Sequence, residues 1–275
     1  MHKKPRLALQ VFVPAVTLIL AGMAAMPALD SQTGSHLSSN FQKVKLVGVE
    51  TEWIFNELTE EQIRSFMEAL YEEYEKNMTE GRQTIDPDAV LVIGKNVTVT
   101  AGEFMEYKYK TTAIRHFNEV LWQHTAAAPS PEPTHDATTN TIPGNKDLLL
   151  QYLRPYVLAE HAKEIGLQVE RKELDDYVAW ARQAMFESSN TAVVPSAVML
   201  EFILKLNGWT EEEYWNMPIV RDRYEREVLR QKLEQHWRET GKAFTDSDVE
   251  RIDQSLLDKA MKQFDVNWAL LYKIP

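Results

Sequence analysis

The sequence predicts a mainly α-helical fold, on three observations. Helix formers dominate and only ten of 275 residues are glycine, which argues against an all-parallel sheet or a glycine-rich phosphate fold. A helix-start signature recurs five times. Apolar residues also repeat at helical spacing, as in Phe104, Tyr107, Ile114, Phe117 and Leu121, and again in Leu149, Tyr152, Leu153, Tyr156, Val157 and Ala162. With 44% hydrophobic content, the chain can bury one large core or two small ones.

The recurring signature is an apolar residue, a capping residue, an acid or amide three positions on, and a second apolar residue. It reads Leu58-Thr59 with Gln62-Ile63, Val99-Thr100 with Glu103-Phe104, and Trp209-Thr210 with Glu213-Tyr214. Phe244-Thr245 with Asp248-Val249 is a looser copy, and Val169-Glu170 with Glu173-Leu174 is the fifth. Such a box satisfies orphan amides at a helix start, and the apolar pair clamps the entry angle. Glutamate caps poorly, so the start at Glu170 is the weakest. These signals predict helices near 60–78, 101–124, 146–166, 171–187, 196–207, 211–238 and 246–264. Pro155 should kink its helix or mark its true start, and Pro218 should split the segment after Trp215.

The stretch YVLAEHAKEIGLQVERKELDDYV (156–178) halts one helix at Gly166 and restarts another at once, keeping Leu167 and Val169 between them. It reads as an elbow between two packed helices. AVLVIGKNVTVT (89–100) predicts two short strands around Gly94-Lys95, and KVKLVGVE (43–50) a further short strand.

The N-terminus, MHKKPR followed by nineteen largely apolar residues, has the layout of an export signal. Residues 1–28 are therefore expected to be a signal peptide or membrane anchor, with a tether through residues 7–25. Cleavage near Ala24 or Ala28 and retention both stay open. Either places the protein outside the cytoplasm, secreted or held at the cell membrane. Residues 29–57 read as a tether with a short strand. Residues 58–275 read as the helical domain, interrupted at 126–145 by a proline-rich insertion expected to be disordered.

The formal net charge of −11 repels nucleic acid, which is excluded as a partner. With no cysteine, there is no disulfide, thiol catalysis or cysteine zinc site. His2, His36, His116, His124, His135, His161 and His236 form no ligand motif, so no metal is expected. Adjacent acids such as Asp175-Asp176 diverge on a helix and read as a solvated face. No catalytic residue and no cofactor is assigned.

AVLVIGKNVTVTAGEFMEYK, the 156–178 elbow and GWTEEEYWNMPIVRDRYEREVLRQKL together resemble the N-terminal chaperone domain of SurA- and PrsA-type exported folding factors. The similarity spans about Ala89 to Glu234. It implies a multi-helix fold of the SurA-N or trigger-factor-like kind with a short β-hairpin. It also implies binding of unfolded or exported polypeptides. Many members carry a parvulin prolyl isomerase domain, and no stretch here supplies one. An enzyme is thus the less favoured class. Two rivals remain: an envelope assembly protein with one folded partner, and a cryptic prolyl isomerase. A homodimer is left open.

Aromatic and methionine side chains concentrate in the second half. Met adapts its shape, and aromatics offer contact area at low ordering cost. The expected peptide-binding set is Tyr152, Tyr156, Trp180, Met185, Phe186, Met199, Phe202, Trp209, Trp215 and Met217. Each of these would equally serve as plain core.

Overall fold

The computed structural model describes residues 45–46, 49–50, 58–123, 143–187 and 194–275. The helices are α1 (Glu60–Thr84), α2 (Ala101–Gln123), α3 (Asn145–Glu164), α4 (Arg171–Glu187), α5 (Val194–Asn207), α6 (Glu211–Asn216), α7 (Pro218–Glu239), α8 (Asp246–Met261) and the single turn α9 (Trp268–Leu271). Strands β1 (Lys45–Leu46) and β2 (Val49–Glu50) pair as a small antiparallel ladder. Strands β3 (Val90–Ile93), β4 (Thr98–Thr100) and β5 (Asp265–Val266) form an antiparallel sheet in the order β4-β3-β5.

The capping boxes form as their sequence dictates. Thr59, Thr210 and Thr245 each accept from the amide three residues on, and that residue's side chain accepts from the cap amide. Thr100 and Glu103 do the same, with Thr100 N donating to Glu103 Oε2 at 2.7 Å and Glu103 N to Thr100 Oγ1 at 3.2 Å. At Glu170 only one half is made, a long bond from its amide to Glu173 at 3.4 Å. This is the weakness expected of a glutamate cap.

Three elbows share one chemistry. Gly166, Gly208 and Gly241 hold positive φ of 86°, 65° and 69°, which only glycine adopts without strain. In each, the glycine amide and the next one donate back into the last helical turn: Gly166 to Lys163 O and Leu167 to Ala162 O, Gly208 to Lys205 O and Trp209 to Leu204 O, Gly241 to Arg238 O and Lys242 to Trp237 O. This six-residue closure satisfies orphan carbonyls and turns the chain. A capping residue follows within four positions and starts the next helix. Lys232 of α7 clamps the first elbow, donating to Gln168 O at 2.7 Å and pairing with Glu173 at 2.6 Å.

Pro218 opens α7 at its first position, where its missing amide costs nothing, and Met217 separates it from α6. Pro155 neither starts nor divides α3, which runs unbroken through it with the ring exposed. Water can take the carbonyl that the ring leaves unpaired.

Helix α3 packs on α7 along most of its length and also touches α2 and α8; α7 packs in addition on α4 and α6, and α5 lies against α1, α2 and α4. The main core gathers Phe104, Phe117, Leu121, Leu149, Phe202 and Tyr224 with the inner face of β3. A satellite core of Leu158, Ala159, Ala162, Leu229, Leu233, Trp237, Ala243 and Val249 fills the far end of α3, α7 and α8.

Strand β5 is only two residues long and carries no local sequence signal. It joins the open edge of β3, and Asn267 N donates to Leu91 O at 2.9 Å. Asn145 then fastens the segment, donating from Nδ2 to Leu271 O at 2.9 Å and Ile274 O at 2.8 Å. The sequence places Asn145 at the end of the insertion, whereas in the fold it opens α3. The rest of that insertion, 126–142, lies outside the described residues.

The expected signal or anchor helix is corrected. Among the described residues, no helix is long and apolar enough to cross a membrane. Even α1, with 25 residues, carries Glu61, Glu68, Glu72 and Glu75 on its exposed side. Residues 1–28 lie outside the described residues. The tether through 7–25 and the extracytoplasmic, membrane-anchored location therefore have no support in the structure. What stands is a mainly α-helical domain with a three-stranded sheet.

Candidate functional site

Helix α7 carries Arg223, Arg226 and Arg230 at i, i+3 and i+7, which places them along one side. All three are half-buried. Arg230 pairs with Glu234 at 2.9 Å. Arg223 lies 6.0 Å from the Tyr224 ring centroid. Arg226 lies 4.4 Å from the Tyr156 ring centroid, close enough for a cation–π contact.

Tyr156 belongs to a file of three tyrosines. Its ring centroid is 5.6 Å from that of Tyr152, which meets Tyr107 of α2 edge-on at 4.9 Å. All three are half-buried. Burial, then the neighbouring Tyr156, pushes the Tyr152 phenol well above its ordinary value, so it stays a neutral hydrogen-bonding group at any physiological pH. With Arg226 these rings make a tyrosine–arginine strip where α3 lies between α2 and α7.

A second aromatic file runs on the other side of α7. Trp180 contacts Tyr177 at 5.4 Å, Tyr177 meets Tyr224 edge-on at 6.0 Å, and Tyr224 stacks on Trp215 at 5.9 Å. Trp215 meets Tyr214 edge-on at 5.0 Å, and Tyr214 contacts Trp209 at 6.3 Å. The middle of this file is sealed, with Tyr214, Trp215 and Tyr224 all buried, while Trp180 and Trp209 at its ends keep exposed surface. Gln231 donates to the Tyr177 hydroxyl at 2.9 Å. Glu227 is raised above the usual carboxylate range by burial, against the pull of Arg230.

The sequence-predicted set therefore divides. Tyr152 and Tyr156 come together on the strip. Trp180, Trp209 and Met217 are half-buried along the second file and its α6–α7 junction. Met199, Phe202 and Trp215 are core; Phe202 packs on Phe117, ring centroids 4.7 Å apart. The side chains of Met185 and Phe186 lie outside the described residues. Tyr107, which the sequence reads only as part of an apolar helical stripe, joins the site together with Tyr177 and Arg226. The arginine spacing at 223, 226 and 230 was the available signal.

No family model, curated protein or solved structure matches this chain. The likeness to SurA- and PrsA-type chaperone domains rests on the three sequence segments alone.

Proposed function

We propose that the chain is a chaperone-like module that binds unfolded or extended polypeptide non-covalently. The observation that carries this reading is the tyrosine–arginine strip. Tyr107, Tyr152 and Tyr156 are half-buried, the first two packed against the main core, and the Arg226 guanidinium lies over the Tyr156 ring. Tyrosine and arginine are the side chains that dominate binding energy at protein surfaces. Trp180, Trp209 and Met217 extend the same kind of surface along α7. Binding of this sort needs no convergent acid–base cluster and no nucleotide.

The test uses the full chain and a chemically unfolded, aggregating client, followed by light scattering. Aggregation should slow at equimolar protein. Replacing both Tyr152 and Tyr156 by alanine should weaken the effect by ~10-fold, the loss expected of a central aromatic pair. Unchanged aggregation at stoichiometric amounts of the unmodified chain would sink the proposal.

A further inference from the structure

Residues 265–275 lie on the rest of the fold as a peptide lies on a receptor. Strand β5 adds to the edge of β3, with Val266 opposite Val92 and Asp265 opposite Ile93. The Asn267 amide donates to Leu91 O at 2.9 Å. Beyond the strand, Leu271 and Ile274 are buried in the main core. A polar clamp closes over them. Asn145, at the start of α3, donates from Nδ2 to Leu271 O and Ile274 O. Lys108 and Tyr109 of α2 both donate to Pro275 O, Tyr109 at 3.2 Å. Lys108 also donates to Asn145 Oδ1 at 2.7 Å, which ties the two halves of the clamp together. Each bond to the segment ends on one of its main-chain atoms. The clamp therefore reads backbone, and the two aliphatic anchors read side chains, as in strand-addition recognition.

The segment is also organised within itself. Asn267 caps its single helical turn, taking the Leu270 amide at 3.0 Å. The exposed Trp268 and Tyr272 rings stack with centroids 6.2 Å apart. A piece that holds its own turn loses less freedom on docking.

We infer that the groove walled by β3, Lys108 and Tyr109 of α2 and Asn145 of α3 is a strand-addition site for a second polypeptide, with residues 265–275 as its resident occupant. The partner it fits is an extended strand followed by two aliphatic side chains three positions apart, the pattern of Leu271 and Ile274. The partner enters by displacing the resident segment, which acts as a tethered competitor at high effective concentration. This groove is separate from the tyrosine–arginine strip, so failure of the aggregation test leaves it standing.

The experiment measures fluorescence anisotropy of a labelled peptide, FDVNWALLYKIP (residues 264–275), on the full chain. The unmodified chain should bind it weakly, because the tethered segment holds the groove. The full-length variant carrying Leu271→Ala and Ile274→Ala has a resident without anchors, and should bind the peptide at least ~10-fold tighter. A peptide with the same two alanines should bind that variant at least ~10-fold more weakly than the native peptide. If the variant is unfolded, the native peptide should restore its circular dichroism and the alanine peptide should not. Equal binding by the variant and the unmodified chain, equal binding of the two peptides, or an unfolded variant that the native peptide does not restore overturns the inference. Residues 265–275 would then be a fixed part of the core.

Discussion

The two cores of this protein are built from overlapping helices yet differ in kind. The main core is aromatic, closed by a sheet, and bolted across long sequence distances by Asn145 and β5. The satellite core has one tryptophan, Trp237, among small and aliphatic side chains, and is bounded by two glycine elbows. It also borders a buried carboxylate. Asp253 is 2% exposed and its Oδ1 has no hydrogen-bond partner. Burial pushes it up to about 6 despite Arg230 and Arg154, with Glu234 and Glu250 adding to the rise. The lesson is that local stability follows the number of independent ties. The α8 end has fewer, and it should open at lower free energy than the α2 end.

The comparison breaks most sharply at Trp237. Replacing it with alanine removes the only large ring in the satellite core and should cost about 3–5 kcal/mol. Native-state hydrogen exchange should then show α8 and the end of α7 losing protection first, with α2 unaffected. Equal loss throughout would mean the two cores are one cooperative unit.

Asp253→Asn is the next largest effect. At pH 8 it replaces a buried charge with a neutral group and should stabilise the protein by roughly 1–3 kcal/mol. It should also flatten the pH profile. The folded-state pKa of Asp253, about 6, lies above the ordinary aspartate value of 3.8. The folded state therefore holds the proton more tightly. Its contribution is fully present below the unfolded pKa and is lost as pH rises through about 6. Chemical denaturation from pH 4 to pH 8 reads this directly. A profile identical in Asp253→Asn would place the pH dependence elsewhere.

Smaller still are the caps. Thr245→Ala should cost about 1 kcal/mol and act on α8 protection alone, whereas Thr59→Ala should cost a similar amount and leave α8 unchanged. Glu170→Thr completes the one half-made box and should gain roughly 0.5 kcal/mol by thermal melting. A loss there would show that the Glu170 side chain does something at that elbow other than cap.

Much of this was written locally in the sequence. The threonine boxes, the stop at Gly166 and the split at Pro218 depend on residues within a few positions of one another, and each formed as its spacing dictates. What was illegible depends on distant partners. Nothing around Asp265-Val266 announces a two-residue strand until β3 offers it an edge. Arg226 reads as one more charge on a helix until α3 brings Tyr156 beneath it. Phe202 and Trp215 share chemistry with Trp180 and Trp209, and only the packing of α5 and α6 decides which pair is hidden. Half-buried and fully buried aromatics have the same composition here, so residue type alone does not sort them.

The late arrival of β5 has a consequence for how the molecule assembles. The central strand, made near residue 90, gains its second neighbour only from residues 265–266. Until then one edge of β3 carries unpaired amides and carbonyls, the kind of edge that recruits strands from other chains. A truncated or stalled product lacking the last eleven residues would keep helices α1 to α8 and still present that edge. Such a fragment should be more prone to self-association than to simple unfolding.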